Sequence, residues 1–210
     1  AFALGVAMSA YWGMAPSFGQ AVGMSEATIS LFLTTTLLGA LAAQWPLGWL
    51  SDRTDRRLVV VAATVSAGLA AVGLALVVDH ARAFIGLTVL LGGAAMPIYA
   101  LCVAHVNDQI EPREVVAASS ALILVYGVGS AIGPFGTSLV MDAVGPRGLF
   151  VFMAAALGAF ALYAARRLVV SPPPPPEAKD SWVSVPQTSH AVLPLHEHSP
   201  EATAGRRAPQ

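Results

Sequence analysis

The residues best placed to do chemistry lie in one stretch, Gly48-Trp49-Leu50-Ser51-Asp52-Arg53-Thr54-Asp55-Arg56-Arg57. Two carboxylates and three guanidiniums within so few residues are suited to ion pairing. Asp52 falls where a helix ends, and the macrodipole disfavours an anion there by some tenths of a kcal/mol. It therefore needs compensation from Arg53, Arg56 or the N–H groups that open another helix. A plain basic loop at a membrane surface would carry the same arginines, so the stretch has both readings. A second group is His105 with Asn107 and Asp108 nearby. A histidine, with an ordinary pKa of about 6.5, can carry a proton; a histidine at a helix end facing lipid headgroups is the simpler reading. Tyr11, Trp12, Gln44, Tyr99 and Tyr126 are hydrogen-bonding or stacking groups set in otherwise apolar sequence. They suit a solute pathway, although tyrosine and tryptophan also collect at membrane interfaces. His196-Glu197-His198 is a weak metal binder at best, because structural metal sites need more ligands at defined spacing. The single cysteine, Cys102, excludes a disulfide framework and a Cys-based zinc site. No cofactor or metal is expected. An enzyme would need clustered carboxylates, histidines or a nucleophile–base pair at depth, and the sequence offers none.

The elements that must hold these groups follow from composition. Of 210 residues, 56% are hydrophobic and 11% charged, and the mean hydropathy is +0.68. Soluble domains carry about 25% charged residues, so a water-soluble globule is excluded. So is a nucleic-acid partner, which would require a basic surface, whereas the net charge is −1. Six runs lack Asp, Glu, Lys, Arg and His: Ala1–Ser25, Ala27–Ser51, Leu58–Val78, Ala83–Ala104, Val115–Met141 and Gly148–Ala165. A helix needs about 20 apolar residues to cross roughly 30 Å of hydrocarbon. Strands of a membrane barrel would instead show about ten residues of alternating pattern. The expectation is an all-α membrane protein with six transmembrane helices, at approximately 1–22, 27–50, 58–78, 83–106, 115–140 and 147–166. Together they make one domain over 1–167.

Orientation follows from the arginines. With both chain ends cytoplasmic, the inside segments hold Arg53, Arg56, Arg57, Arg113, Arg166 and Arg167, and the outside loops only Arg82 and Arg147. That asymmetry obeys the positive-inside rule. The first run has no basic leader and is too long for a signal-peptide core. Without an initiator Met and already apolar at Ala1, the chain reads as lacking an upstream part. Residues 168–210 are a different material. From Ser171 and the five prolines after it, they hold most of the fifteen prolines and carry too little apolar content to offset ordering entropy. A disordered, Pro-rich cytoplasmic tail is expected there.

The Gly48–Arg57 stretch resembles the Gly-x-Leu-Ala-Asp-Arg-x-Gly-Arg-Lys signature of the major facilitator superfamily of secondary transporters. Gly48, Leu50, Asp52, Arg53, Arg56 and Arg57 fit the pattern, Ser51 is a mild variant, and Asp55 stands where the family has its second glycine. Gln44-Trp45-Pro46-Leu47-Gly48, Pro97, Tyr99, Tyr126-Gly127-Val128-Gly129-Ser130 and Gly133-Pro134 extend the likeness. They are similar to the C-terminal half of a poorly characterised branch of bacterial transporters. The resemblance covers residues 1–167 and implies one half of a twelve-helix bundle, each half built from inverted three-helix repeats. It implies residence in the bacterial inner membrane, and a small solute moved by alternating access. It also implies a missing six-helix half or a second copy as partner, and a latch made by Gly48, Asp52, Arg53, Arg56 and Arg57 against the turn near Glu114–Ala118. No Asp, Glu, Lys or Arg interrupts the six runs, so the titrating carboxylate of a proton-coupled cycle would belong to the other half. A non-transporting scaffold whose Pro-rich tail docks an aromatic-lined domain is the rival.

Within a bilayer, helices associate by close packing of small residues. Gly129 and Gly133 have the GxxxG spacing, with Gly127 and Pro134 beside them; Gly68, Gly73, Gly92, Gly93 and Gly136 offer further sites. The Gly127–Pro134 stretch serves either as a packing seam or as a flexing point, since proline removes a backbone hydrogen bond.

Overall fold

The structure, a computed structural model, describes residues 1–78 and 80–170. It is all helical: α1 (Phe2–Ala21), α2 (Glu26–Arg53), α3 (Arg56–Leu76), α4 (Ala81–Ala95), α5 (Ile98–Asn107), α6 (Val115–Val144) and α7 (Gly148–Val170), with a single 3-10 turn at Pro112–Glu114. Five stretches are long and apolar enough to cross a membrane, counting Arg82–Asn107 as one. The 20-residue α1 has the length too, but Ser9, Tyr11, Trp12, Ser17 and Gln20 dilute its apolar character. The Pro-rich tail expected at 168–210 lies, from residue 171 on, outside the described residues.

Helix ends follow local chemistry. Ser25 caps α2, its hydroxyl accepting from the Thr28 N–H at 3.2 Å. Gly23, at φ 75°, makes the preceding turn in a conformation side chains rarely adopt. The fourth apolar run, expected as one helix over 83–106, is interrupted at Met96–Pro97. Both residues keep helical dihedrals (φ −64°, ψ −42° and φ −69°, ψ −17°), so the path continues. Pro97 has no N–H for the Gly93 carbonyl, and the hydrogen-bond ladder breaks there.

Packing pairs α1 with α6, α2 with α4 and α3 with α7. Exchanging the first three spans for the last three turns the α1–α6 contact into the α4–α2 contact and returns α3–α7 to itself. That is the contact pattern of two inverted three-helix repeats. Both equivalent seams are made by glycines. A Cβ on Gly129 would meet the Phe2 carbonyl, and one on Gly133 the Val6 carbonyl; across the other seam, a Cβ on Gly92 would meet the Thr36 carbonyl and one on Gly39 the Val89 carbonyl. Only hydrogen fits at these crossings. Gly127, expected to share in this packing, has nothing within 4 Å of an added Cβ. Two residues before Gly129, it is turned about 200° around the helix, on the opposite face. Pro134 does sit at the seam: a Cβ on Gly13 would come within 3.1 Å of its ring.

One end of the bundle, away from the Gly48–Arg57 loop, is filled by Phe18, Phe32, Phe84 and Phe150, all buried. Their rings lie 4.9–6.5 Å apart, mostly edge to face, the arrangement the ring quadrupole favours. By contrast α2 and α6 leave large apolar side chains uncovered, among them Leu41, Trp45, Leu124, Ile132 and Phe135. In water that would be an aggregation surface; in a bilayer it is the face that lipid or another helical unit covers.

Candidate functional site: the ion-paired loop between α2 and α3

Only Thr54 and Asp55 separate α2 from α3. Thr54 closes α2, its N–H and hydroxyl both donating to the Leu50 carbonyl at 3.0 and 2.7 Å. Asp55 opens α3 by accepting from the Arg57 N–H at 3.0 Å. Its φ of −65° is an ordinary value. The turn therefore does without the positive φ that a glycine would permit, and the aspartate supplies a helix cap instead. Arg57 folds back on the same carboxylate, Nη2 to Oδ2 at 2.9 Å. Arg53 points outward and lies over the Trp49 ring, 4.0 Å from its centroid, a cation–π contact.

Arg56 is different. Its side chain is 2% exposed, and its Nε donates to Asp108 Oδ2 at 2.9 Å, with Asp108 equally buried. Nη2 reaches Asp108 Oδ1 at 3.4 Å and lies 3.6 Å from Asp52 Oδ1. One guanidinium thus holds two carboxylates, one in the last turn of α2 and one capping the end of α5. Helix C-termini carry a partial negative charge, so both aspartates sit where an anion is least welcome. A buried cation between them offsets this. Gly48 is buried one turn back along α2.

The Glu114–Ala118 turn was the expected counterpart of this loop; the geometry gives Arg56 a different one, Asp108, 52 residues along the chain. Asp108 lies three residues beyond His105, at the end of α5. His105 itself is engaged by Gln109, whose Nε2 lies 2.8 Å from His105 Nε2. Ser51 Oγ, Asn107 Oδ1 and Ser119 Oγ are buried without a hydrogen-bond partner among the described residues.

The five expected pathway groups do not converge on one cavity. Tyr11 is buried, its hydroxyl 2.6 Å from Thr36 Oγ1 and its ring edge-on to Trp12 and Phe32. It ties α1 to α2. Trp12 is 40% exposed. Tyr99 and Tyr126 form a separate edge-to-face pair at 5.2 Å between α5 and α6. Gln44 is half-buried on α2, beside the exposed Trp45. Among the described residues no group of three or more His, Cys, Asp or Glu could hold a metal, and His196-Glu197-His198 lies outside them.

A bundle of membrane-length helices in two interlocked triplets, with an Asp-Arg loop between its second and third spans, defines a transporter-type fold. The model of the Major Facilitator Superfamily matches residues 1–203, and the chain belongs to that family. It is 28% identical over 150 residues to an uncharacterized MFS-type transporter, YcaD, of Escherichia coli O17:K52:H18, covering 71% of this chain and 38% of that protein. The same protein of the K12 strain DH10B is 27% identical over the same length. Among solved structures, an auto-inhibited POT family peptide transporter superposes with a TM-score of 0.64 at 19% identity, over 83% of this chain and 38% of that one. The matched part of the chain thus covers 38% of the length of these relatives.

Proposed function

We propose that the chain is the C-terminal six-helix half of a secondary transporter that moves a small solute by alternating access across the bacterial inner membrane, with both chain ends cytoplasmic. The other six helices come from further sequence or from a second copy, seated against the uncovered faces of α2 and α6. The observation that carries this reading is the Asp52–Arg56–Asp108 network in a chain of this family, with the Arg56–Asp108 pair buried and Asp52 half-exposed at its edge. It joins the ends of three spans at one mouth of the bundle, where a latch must act. Arg53 and Arg57 stand on its rim, toward the inner leaflet. Tyr99 and Tyr126 are the pathway groups the geometry favours, because they face one another across two helices. Should protons drive the cycle, their titrating carboxylate belongs to the other half.

The test is uptake of a solute panel by membrane vesicles carrying the protein. For whichever solute accumulates, Asp52→Asn is expected to lower uptake by up to about fivefold at unchanged membrane levels, since a partly exposed ion pair contributes about 0–1 kcal/mol. Unaltered uptake would remove the latch role. Deleting residues 171–210 is expected to leave uptake intact; a protein that transports nothing, and loses its partner when the tail is cut, would instead be the scaffold.

A further inference from the structure

His105 takes no part in the Arg56–Asp108 pair, yet it stands beside it. It lies half-buried in the last turn of α5, and Gln109, one turn on and exposed, holds its ring. An amide nitrogen has only hydrogens to offer. Gln109 Nε2, 2.8 Å from His105 Nε2, therefore donates, and the ring nitrogen accepts. The same amide nitrogen reaches the His105 carbonyl at 3.3 Å, while Nδ1 lies farther off, at 3.4 Å. His105 is thus held as a neutral imidazole with its proton on Nδ1. A proton on Nε2 would set two N–H groups against each other, and this contact could not persist.

The charges around the ring balance while it is neutral. Within electrostatic reach are Asp108 at the cap of its own helix, Asp55 in the α2–α3 turn, and Arg56 and Arg57 at the start of α3. The end of a helix favours a cation, whereas the two arginines oppose one. We propose that His105 is a proton-operated control on the latch. Neutral, it is parked on Gln109, and the Arg56–Asp108 pair stays closed at 2.9 Å. Protonated, it releases the Gln109 amide, draws Asp108 toward itself and repels Arg56, so the joint between α3 and α5 loosens. A histidine changes charge between about pH 5 and 8, so acidification on the signature-loop side frees this mouth of the bundle. The proposal rests on the latch reading and adds to it the ligand that works it, a proton.

The test reads the mouth itself rather than transport. Ser51 is fully buried one residue before Asp52, so a Ser51→Cys reporter in a Cys102→Ser background reacts fast only when the mouth loosens. The probe is dithiodipyridine, which still attacks thiols in acid, applied to the full chain in detergent. Rates are compared with those of the same chain carrying His105→Gln, which cancels the thiol's own pH dependence. At about pH 8 the two are expected to react alike; at about pH 5 the chain with His105 should react about tenfold faster. That is the order expected when one unmatched charge enters a half-buried ion-pair network. His105→Lys, a fixed cation, should react fast at both. Equal rates with His105 and with His105→Gln at both pH values, or His105→Lys no faster than His105→Gln, would overturn the proposal. Asp108→Asn separates this outcome from the latch. It should react fast at both pH values, and if it does not, the latch reading fails and the proposal with it.

Discussion

Replacing Asp108 by asparagine is expected to destabilise the bundle by about 3 kcal/mol, the lower end of the 3–5 kcal/mol measured when one partner of a buried ion pair is removed. The substitution keeps the shape but takes away the charge that Arg56 meets at 2.9 Å. The cost stays at the lower end because Asp52, 3.6 Å from the same guanidinium, remains. For a domain of this size, such a loss lowers the melting temperature in detergent by roughly 6–12 °C. The Glu111–Arg113 pair is the control. Those side chains are 64% and 79% exposed, and exposed pairs contribute about 0–1 kcal/mol, so Glu111→Gln should melt with the parent. If Asp108→Asn does so as well, the buried network does not hold the three spans together.

The second large effect is expected at the glycine seams. Gly133→Val would drive a branched side chain into the Val6 carbonyl and the Ser9 hydroxyl. Backbone cannot move aside as a flexible side chain can. Overpacking typically costs about 1–3 kcal/mol and occasionally more, and this site should sit at the upper end. In a bilayer nothing offsets the loss, since helices pushed apart gain only lipid contact. Gly127→Ala, six residues earlier, should be neutral or stabilising by up to about 1 kcal/mol, because alanine is the better helix former and the space is open. Equal thermal stability of the two variants would show that α1 and α6 do not pack through Gly133.

The contrast between these glycines marks how much of the molecule the sequence carries. Six runs without charge, bounded by titratable or charged residues such as Glu26, Asp52, Arg57 and Glu114, are legible because a charged side chain in hydrocarbon is expensive and appears only where the chain leaves it. The Gly129–Gly133 spacing is legible for a similar reason, as a repeat with one physical use. Gly127 is not, since adjacency in sequence says little about which face of a helix a residue occupies. The interruption at Pro97 needed the structure to show that the helical path survives it. Asp108 is the larger omission. Arg56 and Asp108 sit on the ends of different spans, and only the packing of α3 against α5 brings them together. A signal was present all the same: a loop arginine that becomes buried must find a carboxylate, and Asp108 ends the next span. Tyr11 is the converse case, a polar group in an apolar run whose hydroxyl turns out to be spent on Thr36. Local chemistry at the Asp52–Arg57 loop could be read directly because its partners lie within a few residues.

The claim of alternating access is tested most directly at the Tyr99–Tyr126 pair. A Tyr126→Cys variant in a Cys102→Ser background, within the assembled transporter in sealed vesicles, would be treated with a membrane-impermeant maleimide added to one side and then to the other. Position 126 is expected to react from both sides, and faster from the signature-loop side once Asp52→Asn loosens the latch. Labelling from a single side under every condition, unmoved by Asp52→Asn, would contradict a pathway that opens in turn to each face of the membrane.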